Sequence, residues 1–267
     1  IFKTRTDFHT QSSFDQSSTG FGLRASYPIT ERLSQQLNYR LRQTSISSVP
    51  STASPFIQEQ IGNTITSSVG HGLTYDTRDD RLLPTKGFVI KFAQDFAGVG
   101  GNERFVRTTL NYQHYFPVAD QVVFNIGIDS GYVFGLSQNV DISNRFYLGG
   151  DNFRGFAIGG VGPRDVVTGD SLGGNTYYVG TAELTFPIGL PNEFGILGRV
   201  FSQAGSLFGV DETGPNLFDS GSLRATAGVG LSWQSPFGPI RVDFARPVLS
   251  ENVDKTEAFR FSFGTRF

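Results

Sequence analysis

Apolar and polar residues alternate one for one along most of this chain, and nothing in it reads as a helix able to cover one face of the result. In 259–267, Phe259, Phe261, Phe263 and Phe267 stand on one side and Arg260, Ser262, Gly264 and Arg266 on the other. In 223–233, Leu223, Ala225, Ala227, Val229, Leu231 and Trp233 oppose Arg224, Thr226, Gly228, Gly230 and Ser232. Segments 33–42 and 122–134 repeat the pattern. Successive side chains of a strand point to opposite faces, so each segment is a two-faced strand. A soluble sandwich would bury the apolar face in a core. Here that face is large and aromatic. A barrel in lipid turns it outward and points Arg, Asp and Gln into the lumen.

Composition supports the barrel. The chain has 26 Phe and 33 Gly among 267 residues, with a hydrophobic content of only 38%. Phe-rich, Gly-rich and Ser/Thr-rich strands suit a wall with an apolar outside, a polar inside and aromatic girdles. No run of about eighteen apolar residues exists, which excludes a helical membrane span. Zero Cys fits an oxidising compartment. A net charge of −2 gives no footprint for nucleic acid. His9, His71 and His114 stand in no motif, and no phosphate loop, zinc spacing or nucleophile elbow appears. The expectation is therefore no enzyme, no metal and no cofactor. A chain opening at Ile1 without a leader reads as a processed or excised piece.

Twelve strand segments are expected, at about 1–10, 17–28, 33–47, 61–76, 87–98, 103–116, 121–134, 175–188, 194–206, 222–234, 239–249 and 257–267. The connections alternate. Those at 28–32, 117–120, 187–193 and 235–238 are short and marked by Pro, whereas most of the others are longer. Short periplasmic turns facing longer outer loops is the outer-membrane pattern. The longest break, 135–174, contains Arg145-Phe-Tyr-Leu-Gly-Gly-Asp-Asn-Phe-Arg-Gly-Phe156. A loop of that length is functional or disordered, and Gly and aromatics in place of Ser, Glu and Lys favour a packed one.

These residues resemble the BamA-like outer-membrane protein insertase superfamily, which includes TamA proteins and two-partner secretion transporters. Arg154, Gly155 and Phe156 resemble the tip of the family's long extracellular loop, which folds back into the barrel. Tyr75–Asp79 followed by Pro84–Phe88 resembles a strand-turn-strand signature, and Gly180–Leu184 and Val200–Gly205 the two strands after the loop. Gly238–Pro247 and the Phe-rich terminus resemble the last two strands. The resemblance implies an all-β, antiparallel up-and-down transmembrane barrel. Family barrels have sixteen strands with the long loop between the eleventh and twelfth. Here that loop follows the seventh segment, so residues 1–267 correspond to the last twelve, without the first four strands and the periplasmic POTRA domains. The barrel is then partial, and either closes between 1–10 and 257–267 or takes strands from a partner.

With the loop in the lumen, Arg154 needs an acceptor. Glu183 shares the polar parity of Thr181 and Thr185, and the resemblance gives it the same task. Gln203 stands where the family usually carries Asp; it accepts a hydrogen bond but supplies no charge. Phe201 shares that face. The remaining lumen charges, among them Arg199, Arg224 and Asp243, read as mutual pairs or hydrated lining. Phe259, Phe261, Phe263 and Phe267 resemble the signal by which clients of the assembly machinery are recognised, in a strand that forms one side of a lateral seam. They also suit a lipid-facing girdle, and Gly264 would loosen packing there. Asp76, Arg78 and Asp79 sit at a periplasmic turn, as local turn contacts or a docking site. The function implied is outer-membrane protein assembly in a bacterial outer membrane, with lipid, unfolded outer-membrane protein clients and periplasmic or lipoprotein subunits as partners. A TamA-like or two-partner secretion pore, a porin-like channel, and an excised barrel without activity are the other readings.

Overall fold

The structure, a computed structural model, describes residues 1–8, 11–236 and 238–264. Its frame is twelve strands: β1 (Phe2–Asp7), β2 (Asp15–Pro28), β3 (Leu33–Ser47), β4 (Gly62–Asp76), β5 (Gly87–Gly101) and β6 (Phe105–Ala119), then β7 (Val122–Gly135), β8 (Thr176–Pro187), β9 (Ile196–Phe208), β10 (Arg224–Ser235), β11 (Gly238–Leu249) and β12 (Phe259–Phe263). They form one antiparallel sheet in chain order, each strand beside its sequence neighbours. Among the described residues no ladder joins β1 to β12. His9 and Phe267, named above, lie outside the described residues.

The two faces carry opposite chemistry. Val229, Phe244 and Phe261 are 54%, 54% and 57% exposed, while Arg199, Arg224 and Asp243 are 3%, 0% and 4% exposed. This is a water-soluble protein's distribution turned inside out. Leaving one large apolar side chain in water forgoes about 1.5–3 kcal/mol, so the outer face is stable only against an apolar medium. Among the described residues no helix is long and apolar enough to cross a membrane.

The segment 136–175, between β7 and β8, fills the polar face. Phe146, Leu148, Phe153, Phe156 and Val161 of this loop are buried with Val133, Val179 and Leu207 of β7, β8 and β9. A second cluster joins Ile142 and Leu172 of the loop to Phe14, Ile46 and Ile57. The loop also reaches both ends of the sheet. Ser12 and Ser13, between β1 and β2, donate to Ser171 O at 2.8 Å and Asp170 Oδ1 at 2.6 Å. Arg260 of β12 donates through Nε to Asp151 Oδ1 at 2.9 Å. One loop touching both ends requires the sheet to roll around it.

β1 ends at Asp7, short of the expected 1–10, with Phe8 N turned back onto Phe14 O at 2.9 Å, and two other strands run past the alternation pattern. β5 runs on to Gly101, with a register shift against β4 between Thr66 and Ser68. β6 continues through Pro117 to Ala119, and the register against β7 shifts there. Proline has no N–H for the ladder and is accommodated at such an irregularity. The turn then shrinks to Asp120–Gln121, with Gln121 at φ 57°.

Val229→Arg places a cation on the outer face. The expected cost is about 2–4 kcal/mol if Val229 sits near the bilayer midplane, read as a lowered urea midpoint in phospholipid vesicles. An unchanged midpoint would put Val229 in water.

Candidate functional site

The loop tip is built by local hydrogen bonds. Asn152 accepts from Gly149 N through Oδ1 at 2.8 Å and donates to Tyr147 O through Nδ2 at 3.0 Å. Phe153 and Phe156 turn into the loop's own core with ring centroids 5.0 Å apart. Arg154, between them, turns to the sheet. Gly155 has φ +93°, and a Cβ there would lie 2.9 Å from Thr226 Cγ2 of β10. Glycine both relieves the backbone and lets it lie against the strand. Gly155–Phe156 pairs with Thr256–Glu257, which fixes the tip to the segment entering β12.

Around Arg154 four charges form a closed, alternating ring. Arg154 Nη1 donates to Glu183 Oε2 at 2.7 Å. Arg199 Nη1 lies 3.4 Å from the same oxygen, and its Nη2 is 2.6 Å from Asp243 Oδ1. Asp243 Oδ1 is 3.8 Å from Arg154 Nη1, which closes the ring. Two guanidinium groups and two carboxylates balance, which is what a desolvated cluster requires. Gln203 Oε1 accepts from both the backbone N–H and the Nε of Arg154, at 2.9 and 3.1 Å, and its Nε2 donates to Thr181 Oγ1 at 3.0 Å. The Arg154 guanidinium carbon lies 3.4 Å from the centroid of the Phe201 ring, so the cation also meets a π face.

The structure therefore brings Arg154, Gly155, Glu183, Phe201 and Gln203 together. It adds Arg199 and Asp243, which polar parity marks as interior but does not place beside Arg154. The register explains their meeting: Arg199 is level with Gly230 of β10, and Gly230 with Asp243 of β11. A Cβ on Gly230 would sit 2.2 Å from Asp243 Oδ1. The missing side chain is the gap across which Arg199 reaches Asp243. A lone glycine opposite two charged residues was the available signal.

The root of the loop has its own anchors. Arg145 donates through Nε and Nη2 to Val140 O at 3.0 and 2.8 Å, through Nη1 to Leu172 O at 3.3 Å, and through Nη2 to the Glu212 carboxylate. Asn144 Nδ2 donates to Glu103 Oε2 at 3.1 Å, while Asn144 Oδ1 accepts from Arg42 Nη2 at 2.6 Å. Burial, helped by nearby Asp141, pushes the Glu103 carboxyl up to about 7, against Arg42 and the Asn144 hydrogen bond.

The other candidate residues lie away from the ring. Phe259, Phe261 and Phe263 face outward on β12. Gly264 follows at φ +98°, with its N–H on Pro239 O at 3.0 Å. At the opposite rim Asp76 takes three hydrogen bonds from Arg78, from its backbone N–H at 3.1 Å, Nε at 2.9 Å and Nη2 at 2.8 Å. Asp79 accepts from the Thr85 hydroxyl and from the Thr85 and Lys86 N–H groups, which hold its carboxyl well below the usual range. Both carboxylates are engaged within the turn. Among the described residues no group of three or more His, Asp or Glu is placed to hold a metal ion.

The description "Omp85 superfamily domain" matches residues 1–267. The "Outer membrane protein assembly factor BamA" of Neorickettsia risticii (strain Illinois) is 37% identical over 253 residues, covering 94% of this chain and 34% of that protein. The protein of the same name from Nitratidesulfovibrio vulgaris is 28% identical over 261 residues, covering 95% and 32%. This chain thus spans about a third of the length of these curated relatives. The crystal structure of BamA from Haemophilus ducreyi lacking POTRA domains 1-3 superposes with a TM-score of 0.84 at 21% identity, over 97% of this chain and 56% of that one. That likeness is one of fold.

Glu183→Gln leaves two buried guanidinium groups facing one carboxylate. It is expected to cost about 3–5 kcal/mol, against about 1–3 kcal/mol for Gln203→Ala, which removes a neutral acceptor. Urea titration in vesicles measures both; equal costs would mean that charge balance is not what holds the loop. For Glu103, the folded chain keeps the proton more firmly than the unfolded chain between the ordinary 4.5 and about 7. Stability is therefore expected to fall as pH rises through that window, with a slope that Glu103→Gln flattens. Parallel pH profiles for the two proteins would contradict the burial argument.

Proposed function

The chain belongs to the Omp85 superfamily, and from that premise we propose that it is the barrel portion of an outer-membrane protein assembly factor, acting in a bacterial outer membrane on unfolded barrel proteins. The observation that carries the reading is the contrast between the interior and the last strand. The loop is tied down by a balanced ring of four charges, whereas β12, among the described residues, has β11 as its one partner in the twelve-stranded sheet.

An aromatic strand in lipid with one partner among the described residues is a template. Its unpaired N–H and C=O groups have no water to satisfy them, so pairing with an incoming strand is strongly favoured. Client strands would add there by β-augmentation, and no bond is made or broken. In this reading 136–175 is an extracellular loop folded into the lumen, Arg154-Gly155-Phe156 is its lock, and Glu183, Phe201 and Gln203 are the acceptors of that lock. Phe259, Phe261, Phe263, Gly264 and Phe267 belong to the seam. The Asp76–Asp79 turn faces the periplasm, towards periplasmic and lipoprotein subunits. A plain diffusion channel suits the geometry poorly, because the loop occupies the polar interior.

The test is the folding of a urea-unfolded outer-membrane barrel protein into vesicles, followed by its gel mobility without boiling. The longer protein containing this chain is expected to accelerate folding, and residues 1–267 alone are not, because the seam then lacks its other side. Steady ion conductance without acceleration would replace this reading with a channel. Transport of a soluble passenger across the vesicle would favour a two-partner secretion or TamA-like pore.

A further inference from the structure

The terminal strand is held from two directions, and only one of them is the sheet. Its two interior-facing side chains, Arg260 and Ser262, converge on one carboxylate of the loop tip. Asp151 Oδ1 accepts from Arg260 Nε at 2.9 Å and from Ser262 Oγ at 2.7 Å. The grip is separate from the Arg154 ring, since Asp151 touches neither Glu183 nor Asp243 through any of these bonds. It is also separable from the strand's own folding. Arg260 Nη1 keeps Glu257 Oε2 at 3.0 Å, so losing Asp151 does not strand the guanidinium. The loop is tied to the preceding segment independently, by the Gly155–Phe156 ladder and by Ala157 N on Lys255 O at 2.9 Å.

We infer that Asp151 is a positioning residue: a latch by which the loop tip restrains the terminal strand through Arg260 and Ser262, and whose release frees that strand to meet a client. The physical case is one of proportion. A charge-assisted pair of hydrogen bonds outweighs a neutral one, and it acts on a strand that, among the described residues, has β11 as its one partner in the twelve-stranded sheet. At about a fifth exposed on each side, 20% for Arg260 and 22% for Asp151, the pair is strong enough to hold and wet enough to exchange. The lock and the latch then divide the loop's work. The buried ring keeps the loop inside, while the partly exposed latch reports its position to the edge. The gating step rests on the assembly reading; the restraint itself does not.

The experiment is amide hydrogen exchange on the full-length protein containing this chain, in phospholipid vesicles, with client folding measured in parallel. Asp151→Ala is expected to raise exchange at 259–263 by about tenfold while leaving Gly155 and Phe156 unchanged, and to speed client folding. Asp151→Glu should restore both towards the unsubstituted level, and Ser262→Ala should give a smaller rise. Unchanged exchange at 259–263 would overturn the latch. So would an equal rise at 155–156, which would show that Asp151 supports the whole loop tip. Faster exchange with no faster client folding would overturn gating. An unsubstituted protein that does not assist clients would sink the assembly reading, with the exchange arm still judging the latch.

Discussion

A sheet that faces lipid with its apolar side must put its charges somewhere, and the only place left is the space it encloses. Where the loop fills that space, Arg154, Arg199 and Asp243 are buried from water. The ring of Arg154, Glu183, Arg199 and Asp243 is the solution found here. Three of its members come from β8, β9 and β11, with only Gly230 of β10 between the last two, and the fourth comes from the loop. Without Arg154 the strands would present two carboxylates and one guanidinium. With it the cluster is neutral, and the loop becomes part of the wall's electrostatics. Inserting the loop and satisfying the wall are thus one event.

The same constraint explains why the loop has a hydrophobic core of its own. A polar loop could lie in the lumen only as a hydrated tangle. This one buries Phe146, Leu148, Phe153, Phe156 and Val161 against Val133, Val179 and Leu207 at the ends of the strands that flank it. Burying such side chains contributes on the order of 1.5–3 kcal/mol each. Ordering the loop's backbone costs entropy that this burial works against. Polar anchors add to it: Arg145 on three carbonyl bonds, Asn144 between Glu103 and Arg42, and the ring.

How much of this could be read from residues alone follows from period and range. Strand identity has a period of two and is local, so alternation located all twelve strands with errors only at their ends. The largest of those errors fall where a local rule is overridden: at Pro117, where the ladder tolerates a missing donor at a register shift, at Gly98–Gly101, where positive φ values carry β5 further, and after Asp7, where Phe8 turns back to bond Phe14. Which polar residues face inward is also a matter of parity, and Glu183, Gln203, Arg199 and Asp243 all follow it. Their grouping is not local. It depends on registers across four strands and on Gly230 being empty of side chain, and no single segment contains that information. Asp151 was invisible for the same reason, because its partners lie more than a hundred residues away.

The strength of the interior and the weakness of the edge are best understood together. A barrel whose every ladder was long and whose every end was covered would be stable and inert, since no strand would have free backbone groups to offer. Loosening one strand is safe only if the rest of the wall does not depend on it. Here the wall depends on β8 to β11 and on the loop locked to them, while β12 contributes five described residues of ladder and a partly exposed ion pair. Its outward residues are Phe259, Phe261 and Phe263, which are at home in lipid whether or not the strand is paired. Release of this strand therefore exposes backbone but no new apolar surface to water. The cost of opening then lies in the ladder's backbone hydrogen bonds, which an incoming strand can replace, and in the Asp151 contacts, which it cannot.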